Sequence, residues 1–256
     1  TSMALTTVRP QGMGFNTGRR NLIINGAMQV SQRGTDINTL TNGSIGADRF
    51  KTVIANIDDL AMDYDQSTDV PSGSGFANSL KLSVASAEGA IAADEYVSFG
   101  QRIEAQNLQH LKYGTSSGEK ITLSFHVKSS VTGTYAISIF QQDASSSPDR
   151  RYHSKTYTIS SANTWEYKTI TIDPNTDDAI ANDTGIGLRV DWVLSAGSNY
   201  TSGSNNTWGD ITNWMVGHNA SWITTSSATF FLTGVQLEVG ENASDFEHRS
   251  FGEELA

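Results

Sequence analysis

Hydrophobic and polar residues alternate along much of this chain. One such run covers residues 120–128, and similar runs cover residues 134–140, 165–172 and 230–239. A two-residue period rich in β-branched and aromatic side chains predicts strands that bury one face and expose the other. Clusters of Gly, Asn, Ser and Asp lie between the runs and predict turns. The pattern therefore predicts an all-β protein of about nine to eleven short strands.

Other segments add little regular structure to this prediction. Only residues 102–111 have helical spacing, which predicts one short helix of two or three turns. Residues 21–25 are a weaker candidate strand. Residues 1–20 have no periodicity and predict an extended N-terminal arm or linker. Because no Pro-rich or long Gly/Ser-rich linker follows, residues 21–256 are expected to form one sandwich of two antiparallel sheets.

Composition and charge exclude several classes of protein. The chain of 256 residues has 17 basic and 27 acidic residues, a net charge of −10, and no cysteine. The lack of cysteine excludes a disulfide framework and thiolate metal sites. The acidic balance argues against nucleic acid as a partner, because duplex binding needs a basic face. No apolar run reaches the roughly 20 residues of a membrane span, so we expect no membrane insertion.

Local signatures of catalysis are missing from the sequence. The five histidines form no H-E-x-x-H motif, and the chain has neither a G-x-S-x-G motif nor a phosphate-binding loop. Adjacent carboxylates such as Asp58 and Asp59 would point to opposite faces of a strand, which does not suit a glycosidase pair. A pair assembled from distant residues stays open. We therefore expect a protein that is not an enzyme.

A Trp-rich segment between residues 197 and 225 is the best candidate for a binding site. A sugar ring can lie with its apolar face on an indole while polar side chains bond its hydroxyl groups. The candidate carbohydrate-binding residues are Trp208, Tyr200, Trp214, Trp222, Asn206 and Asp210. The alternative is that these aromatics pack the loop against the sandwich. Trp208 is the one that we expect to be exposed, whereas Trp165 and Trp192 lie within predicted strands and are expected in the core.

Four groups of short motifs occur in a fixed order along the chain. They are N-L-I-I-N-G and Q-R-G within residues 18–34, A-D-R-F at 47–50, T-L-S-F-H-V-K-S at 122–129, and T-G-V-Q-L-E-V-G with F-E-H-R-S at 233–250. Together they resemble a virion domain of bacteriophage tail-fibre and related structural proteins, over about residues 18–256. His126 replaces the usual aromatic residue of that family. The layout also resembles jelly-roll carbohydrate-binding modules, in which a Trp often marks a central strand, and Trp165 stands where that residue would be.

The resemblance implies a fold, a location and partners. It implies that the fold is an antiparallel jelly-roll β-sandwich. It also implies that the domain belongs to a tail fibre or spike of the virion, which is assembled in the bacterial cytoplasm. The domain would attach to a host-surface glycan or receptor. The resemblance also implies contacts with other virion proteins and a homotrimer in the full-length protein. Because the family pattern continues past Glu253–Ala256, the chain is expected to be a fragment of a longer fibre. Two alternatives remain: a capsid-decorating protein that binds no glycan, and an accessory carbohydrate-binding module of a secreted enzyme.

Calcium enters only through the same resemblance, because jelly-roll modules of this type often hold a structural Ca²⁺. Asp36, Asp48 and Asp245 are the candidate ligands, since carboxylate oxygens are what Ca²⁺ prefers. No EF-hand spacing supports the site, and turn aspartates that accept backbone N–H bonds are the alternative. No other cofactor is predicted.

Overall fold

The computed structural model describes residues 19–142, 151–204, 206–209 and 214–255, and twelve β-strands lie within them. The strands are β1 (Asp36–Ile37), β2 (Lys51–Ala55), β3 (Ala61–Ser67), β4 (Ser79–Ser86), β5 (Tyr96–Glu104), β6 (Ile121–Ser129), β7 (Gly133–Gln141), β8 (Arg151–Ile159), β9 (Glu166–Ile172), β10 (Ile186–Ala196), β11 (Trp208–Gly209) and β12 (Thr229–Val239).

The strands form two six-stranded antiparallel sheets. Sheet A has the order β1-β3-β4-β12-β6-β9, and sheet B has the order β11-β8-β7-β10-β5-β2. The apolar side chains of the two sheets meet in one hydrophobic cluster that extends from Ile23 to Leu237 in the sequence. The predicted antiparallel jelly-roll β-sandwich is therefore confirmed. Residues 1–18 of the predicted arm lie outside the described residues.

Trp192 lies at the centre of the core, as predicted. It is fully buried on β10, and its ring centroid is 5.5 Å from that of Phe125, 5.9 Å from that of Phe99 and 6.2 Å from that of Phe50. Phe125 comes from sheet A, whereas Phe99 and Trp192 come from sheet B. The aromatic contact therefore joins the two sheets.

Helices are few and short. The predicted helix at residues 102–111 begins later, because β5 continues to Glu104, and it is a 3₁₀ helix at Ala105–Leu111. Two α-helices follow, α1 (Ser198–Thr201) and α2 (Phe251–Leu255), so the prediction of a single helix was too low. None of the helices in the described residues is long and apolar enough to cross a membrane.

The N-L-I-I-N-G segment crosses between the sheets and is not the strand that its apolar residues predict. The buried Asn21 side chain replaces the hydrogen bonds of a strand. Its Nδ2 donates to the carbonyl of Val235 (3.0 Å), and its Oδ1 accepts from the backbone N–H groups of Ile23 and Leu237 (both 3.0 Å). The asparagine therefore fixes this segment against β12.

We expect the Asn25→Ala substitution to lower the free energy of unfolding by about 2–4 kcal/mol. Asn25 is fully buried with φ of 59°, its Nδ2 donates to the carbonyls of Val30 (2.8 Å) and Asp48 (3.1 Å), and its Oδ1 accepts from Val30 N–H (2.9 Å). Alanine would leave these buried groups unpaired and would also adopt the left-handed conformation less readily. Urea unfolding measures the loss.

Asn56→Ala is the matched control for this prediction. Asn56 has nearly the same φ, 60°, but it is exposed, and among the described residues its side chain bonds only Asp94. We expect it to lose about 1–2 kcal/mol, mostly from the backbone conformation. Equal losses in the two variants would contradict the role assigned to the buried amide of Asn25.

Candidate functional site

Tyr200 and Trp214, two of the predicted binding residues, lie together on the outer face of sheet B. Their ring centroids are 4.9 Å apart, and Trp214 stacks on Tyr152 of β8 at 4.8 Å. Tyr152 in turn stacks on Phe140 of β7 at 4.3 Å, with an angle of 2° between the rings. We call these four residues the aromatic column. Since each ring lies against the next, the column leaves little ring face open for a ligand.

The other two predicted tryptophans of this segment, Trp208 and Trp222, do not present an exposed ring on which a sugar could stack. Trp208 is half-buried, because its ring packs near His153 (5.2 Å) and Tyr113 (5.8 Å) and its indole N–H donates to the carbonyl of Asp173 (2.7 Å). The expectation that Trp208 is exposed was therefore wrong. Trp222 is fully buried in the core, so it presents no surface to a ligand.

The remaining sequence predictions of this region have separate outcomes. Asn206 is exposed in a turn, where its backbone N–H donates to the carbonyl of Ser154 (2.9 Å), and Asp210 lies outside the described residues. Trp165 was expected in the core, but it lies half-buried just before β9. Its indole N–H donates to Asp69 Oδ1 (3.0 Å), which holds the ring at the surface of sheet A.

The three candidate calcium ligands do not form a site together. No group of three or more His, Asp or Glu side chains suited to a metal occurs in the part of the chain that the structure describes. Asp48 instead accepts a hydrogen bond from the backbone N–H of Gln32 (3.1 Å), as a turn aspartate does. Asp36 lies on the short edge strand β1, and Asp245 lies in the chain after β12. Both residues are exposed.

A cavity of about 430 Å³ opens on the outer face of sheet A, and we call it the Tyr167 cavity. Tyr167 of β9 forms one wall of it, with 51% of its surface accessible. Register pairing places His126 of β6 directly beside it, with the rings 4.8 Å apart. Such a concave surface of aromatic and polar side chains is the usual form of a small-ligand site.

The wall opposite Tyr167 is built by the loop after β3 and by the chain after β12. Phe76 lies 4.9 Å from Phe246 and 5.4 Å from His248, measured between ring centroids. Gly234, with φ of 62°, allows this approach, because a Cβ there would lie 2.5 Å from the ring of Phe76. A bulge between Thr233 and Gln236 in β12 accompanies the glycine. The bulged segment of β12 therefore contributes Gly234 to the lining of the cavity.

Polar groups complete the lining of the Tyr167 cavity. Ser124, His126, Ser244 and Asp245 contribute hydroxyl, imidazole and carboxylate groups. Burial lowers the pKa of His126, so the ring is neutral at pH 7, and its Nδ1 has no hydrogen-bond partner among the described residues. An exposed ring face next to such groups suits a flat ligand that carries several hydroxyl groups.

Sequence reasoning missed Tyr167, although the sequence contains a signal for it. Ile170 and Ile172 point into the core, so the alternation of β9 places Tyr167 on the solvent face with Thr169. The signal is a large aromatic side chain on the polar face of a strand, and the sequence prediction considered tryptophans instead. The positions of Phe76 and His248 beside it had no comparable local signal.

No protein-family model matches the chain, and no curated protein matches it with significant similarity. The phage-like motifs are therefore not supported by a family match. Several solved structures are similar in fold at low identity. One is the enzymatically active domain of tailspike protein 4 of bacteriophage CBA120, with 15% identity and a TM-score of 0.41. The match covers 79% of this chain and 21% of that chain, so this chain spans about a fifth of the tailspike chain.

Carbohydrate-binding modules are also among the similar structures. The family 11 module of Clostridium thermocellum in complex with a β-1,3-1,4-mixed-linked tetrasaccharide has 12% identity and a TM-score of 0.35 over 82% of this chain and 98% of that chain. The module TmCBM61 in complex with β-1,4-galactotriose has 9% identity and a TM-score of 0.40 over 86% and 99%. This chain is thus similar in fold to jelly-roll modules and to a phage tailspike domain, each at low identity.

Proposed function

We propose that this protein is a carbohydrate-binding domain and that the Tyr167 cavity is its binding site. The exposed ring of Tyr167 at the mouth of the cavity is the observation that carries the proposal. Small-ligand sites are concave and combine aromatic lining with a few polar groups, and an exposed aromatic ring suits the apolar face of a sugar. The aromatic column is the second candidate site, but its ring faces are largely occupied by one another.

In this proposal each wall of the cavity has a separate role. The ring of Tyr167 contacts the apolar face of one sugar unit, while the imidazole ring of the neighbouring His126 forms part of the cavity wall. Asp245 accepts a further hydrogen bond at the opposite rim. The lining of the cavity supports binding, and we expect no catalytic step.

We expect Tyr167→Ala to weaken binding of the best ligand on a glycan array by about 5- to 30-fold, because truncating a central aromatic typically costs about 1–2 kcal/mol. Tyr167→Phe should retain most of the affinity, since it keeps the ring face. Isothermal titration with the array hit measures both variants.

Trp214→Ala is the control that separates the two candidate sites. It removes a partly exposed aromatic from the aromatic column and leaves the Tyr167 cavity intact. If Trp214→Ala abolishes binding while Tyr167→Ala does not, the site lies on sheet B and the assignment to sheet A is wrong. If the folded protein binds nothing on an array of bacterial glycans, the proposal that it binds carbohydrate is contradicted.

We further propose that the domain belongs to a phage tail fibre or spike and attaches the virion to host-surface glycans. The order of its four motif groups supports this setting. Homotrimers of the full-length fibre would multiply a modest affinity per site through avidity. Fluorescently labelled protein should therefore bind host cells and lose that binding with Tyr167→Ala. Retention on capsids without cell binding would favour the capsid-decorating alternative.

A further inference from the structure

A second cavity, of about 340 Å³, lies at the end of sheet B where β2 stops pairing and the edge of β5 is open. Four arginines line it, Arg19, Arg49, Arg102 and Arg249, against a single lining carboxylate, that of Glu104. We call it the arginine pocket. The whole chain carries a net charge of −10, so the positive charge of this pocket is opposite in sign to the net charge of the protein.

Two of these arginines are not paired with a carboxylate in the part of the chain that the structure describes. Within the described residues, Arg49 and Arg102 form neither an ion pair nor a hydrogen bond through their side chains. Arg102 pairs across the strands with Arg189 of β10, and the nearby Asp191 is already bound by Arg189, with Nε and Oδ2 2.6 Å apart. Burial and the neighbouring Arg189 lower the pKa of Arg102, while Asp191 raises it, and a bound anion would favour the charged form further.

The base of the pocket is rigid and its rim is polar. Arg249 has only 5% of its side chain exposed, and its Nη2 donates to the carbonyl of Asn21 (2.6 Å) and to Glu247 (3.2 Å). At the rim, Asn107 and His110 project from the 3₁₀ helix and are exposed. Guanidinium groups bind carboxylates and phosphates in a planar fork, while amide and imidazole groups suit hydroxyl groups.

We propose that the arginine pocket binds a sugar unit that carries a carboxylate or a phosphate group. Arg102 and Arg49 contact the anionic group, and Asn107 and His110 bond the hydroxyl groups. This site is separate from the Tyr167 cavity, and it extends the proposed function to acidic glycans. The volume suits one sugar unit, because it lies at the lower end of the range for small-ligand sites.

The test is an NMR titration of the whole chain at low ionic strength with galacturonate, glucose 6-phosphate, inorganic phosphate and methyl glucoside. We expect galacturonate or glucose 6-phosphate to shift the side-chain signals of Arg102 and Asn107, and methyl glucoside to leave them unchanged. A response to galacturonate identifies a carboxylate as the preferred group, and a response to glucose 6-phosphate identifies a phosphate. Equal affinity for inorganic phosphate would contradict the role of the hydroxyl contacts.

Substitutions distinguish a site from general attraction of anions. Arg49→Gln, at an exposed position, and Arg102→Gln should each weaken binding of the acidic sugar at least tenfold, and added salt should weaken it further. Arg33→Gln removes the same charge outside the pocket and should have little effect. Equal effects of all three variants would overturn the proposal. Arg49→Gln should leave the binding of neutral glycans at the Tyr167 cavity unchanged. Loss of acidic-sugar binding can therefore be distinguished from loss of neutral-glycan binding.

Discussion

Acidification from pH 6.5 to pH 4 should lower the free energy of unfolding steeply, because two buried histidines resist protonation in the folded protein. Burial lowers the pKa of His153 and of His218 from the usual 6.5 to about 4. Unfolding therefore takes up protons in this range. The stability that both residues contribute is fully present above about pH 6.5 and is lost as the pH falls towards 4, at a cost on the order of 3 kcal/mol for each residue.

The hydrogen bonds of His218 give a structural reason for this sensitivity. Its Nδ1 accepts from the backbone N–H of Ala136 (3.3 Å), and its Nε2 therefore carries the proton and donates to the carbonyl of Ala220 (3.1 Å). Protonation of Nδ1 removes the acceptor of the Ala136 N–H group on the central strand β7. A charged His218 is thus poorly solvated, and its hydrogen bonds with the backbone of Ala220 and Leu194 offset only part of that cost.

Urea unfolding at several pH values measures the effect. The double variant His153→Leu, His218→Gln should show a much flatter profile between pH 6.5 and pH 4, since leucine does not titrate and glutamine keeps an acceptor and a donor. His110→Gln is the control, because His110 is exposed. An unchanged slope in the double variant would mean that other groups cause the acid sensitivity.

Trp192→Ala should lower the free energy of unfolding by about 3–5 kcal/mol, the usual cost of truncating a large buried aromatic. Trp192 has no exposed surface, and it packs against Phe99 and Phe125 from the two sheets. The cavity left behind would lie between the sheets, where neither can close it without losing strand pairing. Urea unfolding at pH 7.5, above the range in which the histidines titrate, gives the value.

Trp165→Ala makes the same chemical change at the surface. Trp165 is half-buried, so its loss removes one hydrogen bond to Asp69 and partial packing, about 1 kcal/mol. If Trp192→Ala prevents folding, Trp192→Phe provides a milder measure of the same contact. Similar losses for Trp192→Ala and Trp165→Ala would contradict the central position of Trp192.

The fold was predictable wherever local alternation decides which face of a strand is buried. In β10 the alternating Leu188, Val190 and Trp192 all point into the core, as their spacing requires. Residues 21–25 departed from this rule, because the side chain of Asn21 bonds two backbone groups of β12 that are more than 200 positions away. Side chains there take over the bonds that a strand would make, and no local pattern reports such partners.

The candidate site was less predictable than the fold. The Trp-rich segment has the composition of a sugar-binding loop, yet Trp222 is in the core and Trp208 is bonded to Asp173. Whether a ring is open depends on what packs against it, and those neighbours come from distant strands. Tyr167 is exposed at a cavity that it shares with Phe76 and Phe246, two residues from other parts of the chain.

The sequence by itself determined the all-β sandwich and the place of Trp192 in its core, because a two-residue period needs only the geometry of a strand. Only the tertiary structure decided which aromatic side chains are exposed and which charged side chains lie close together. It left Tyr167 uncovered on one sheet and placed Arg49 and Arg102 at one cavity, although 53 positions of chain separate them. Exposure and charge clustering are properties of neighbours in space, which the alternation of a single strand does not contain.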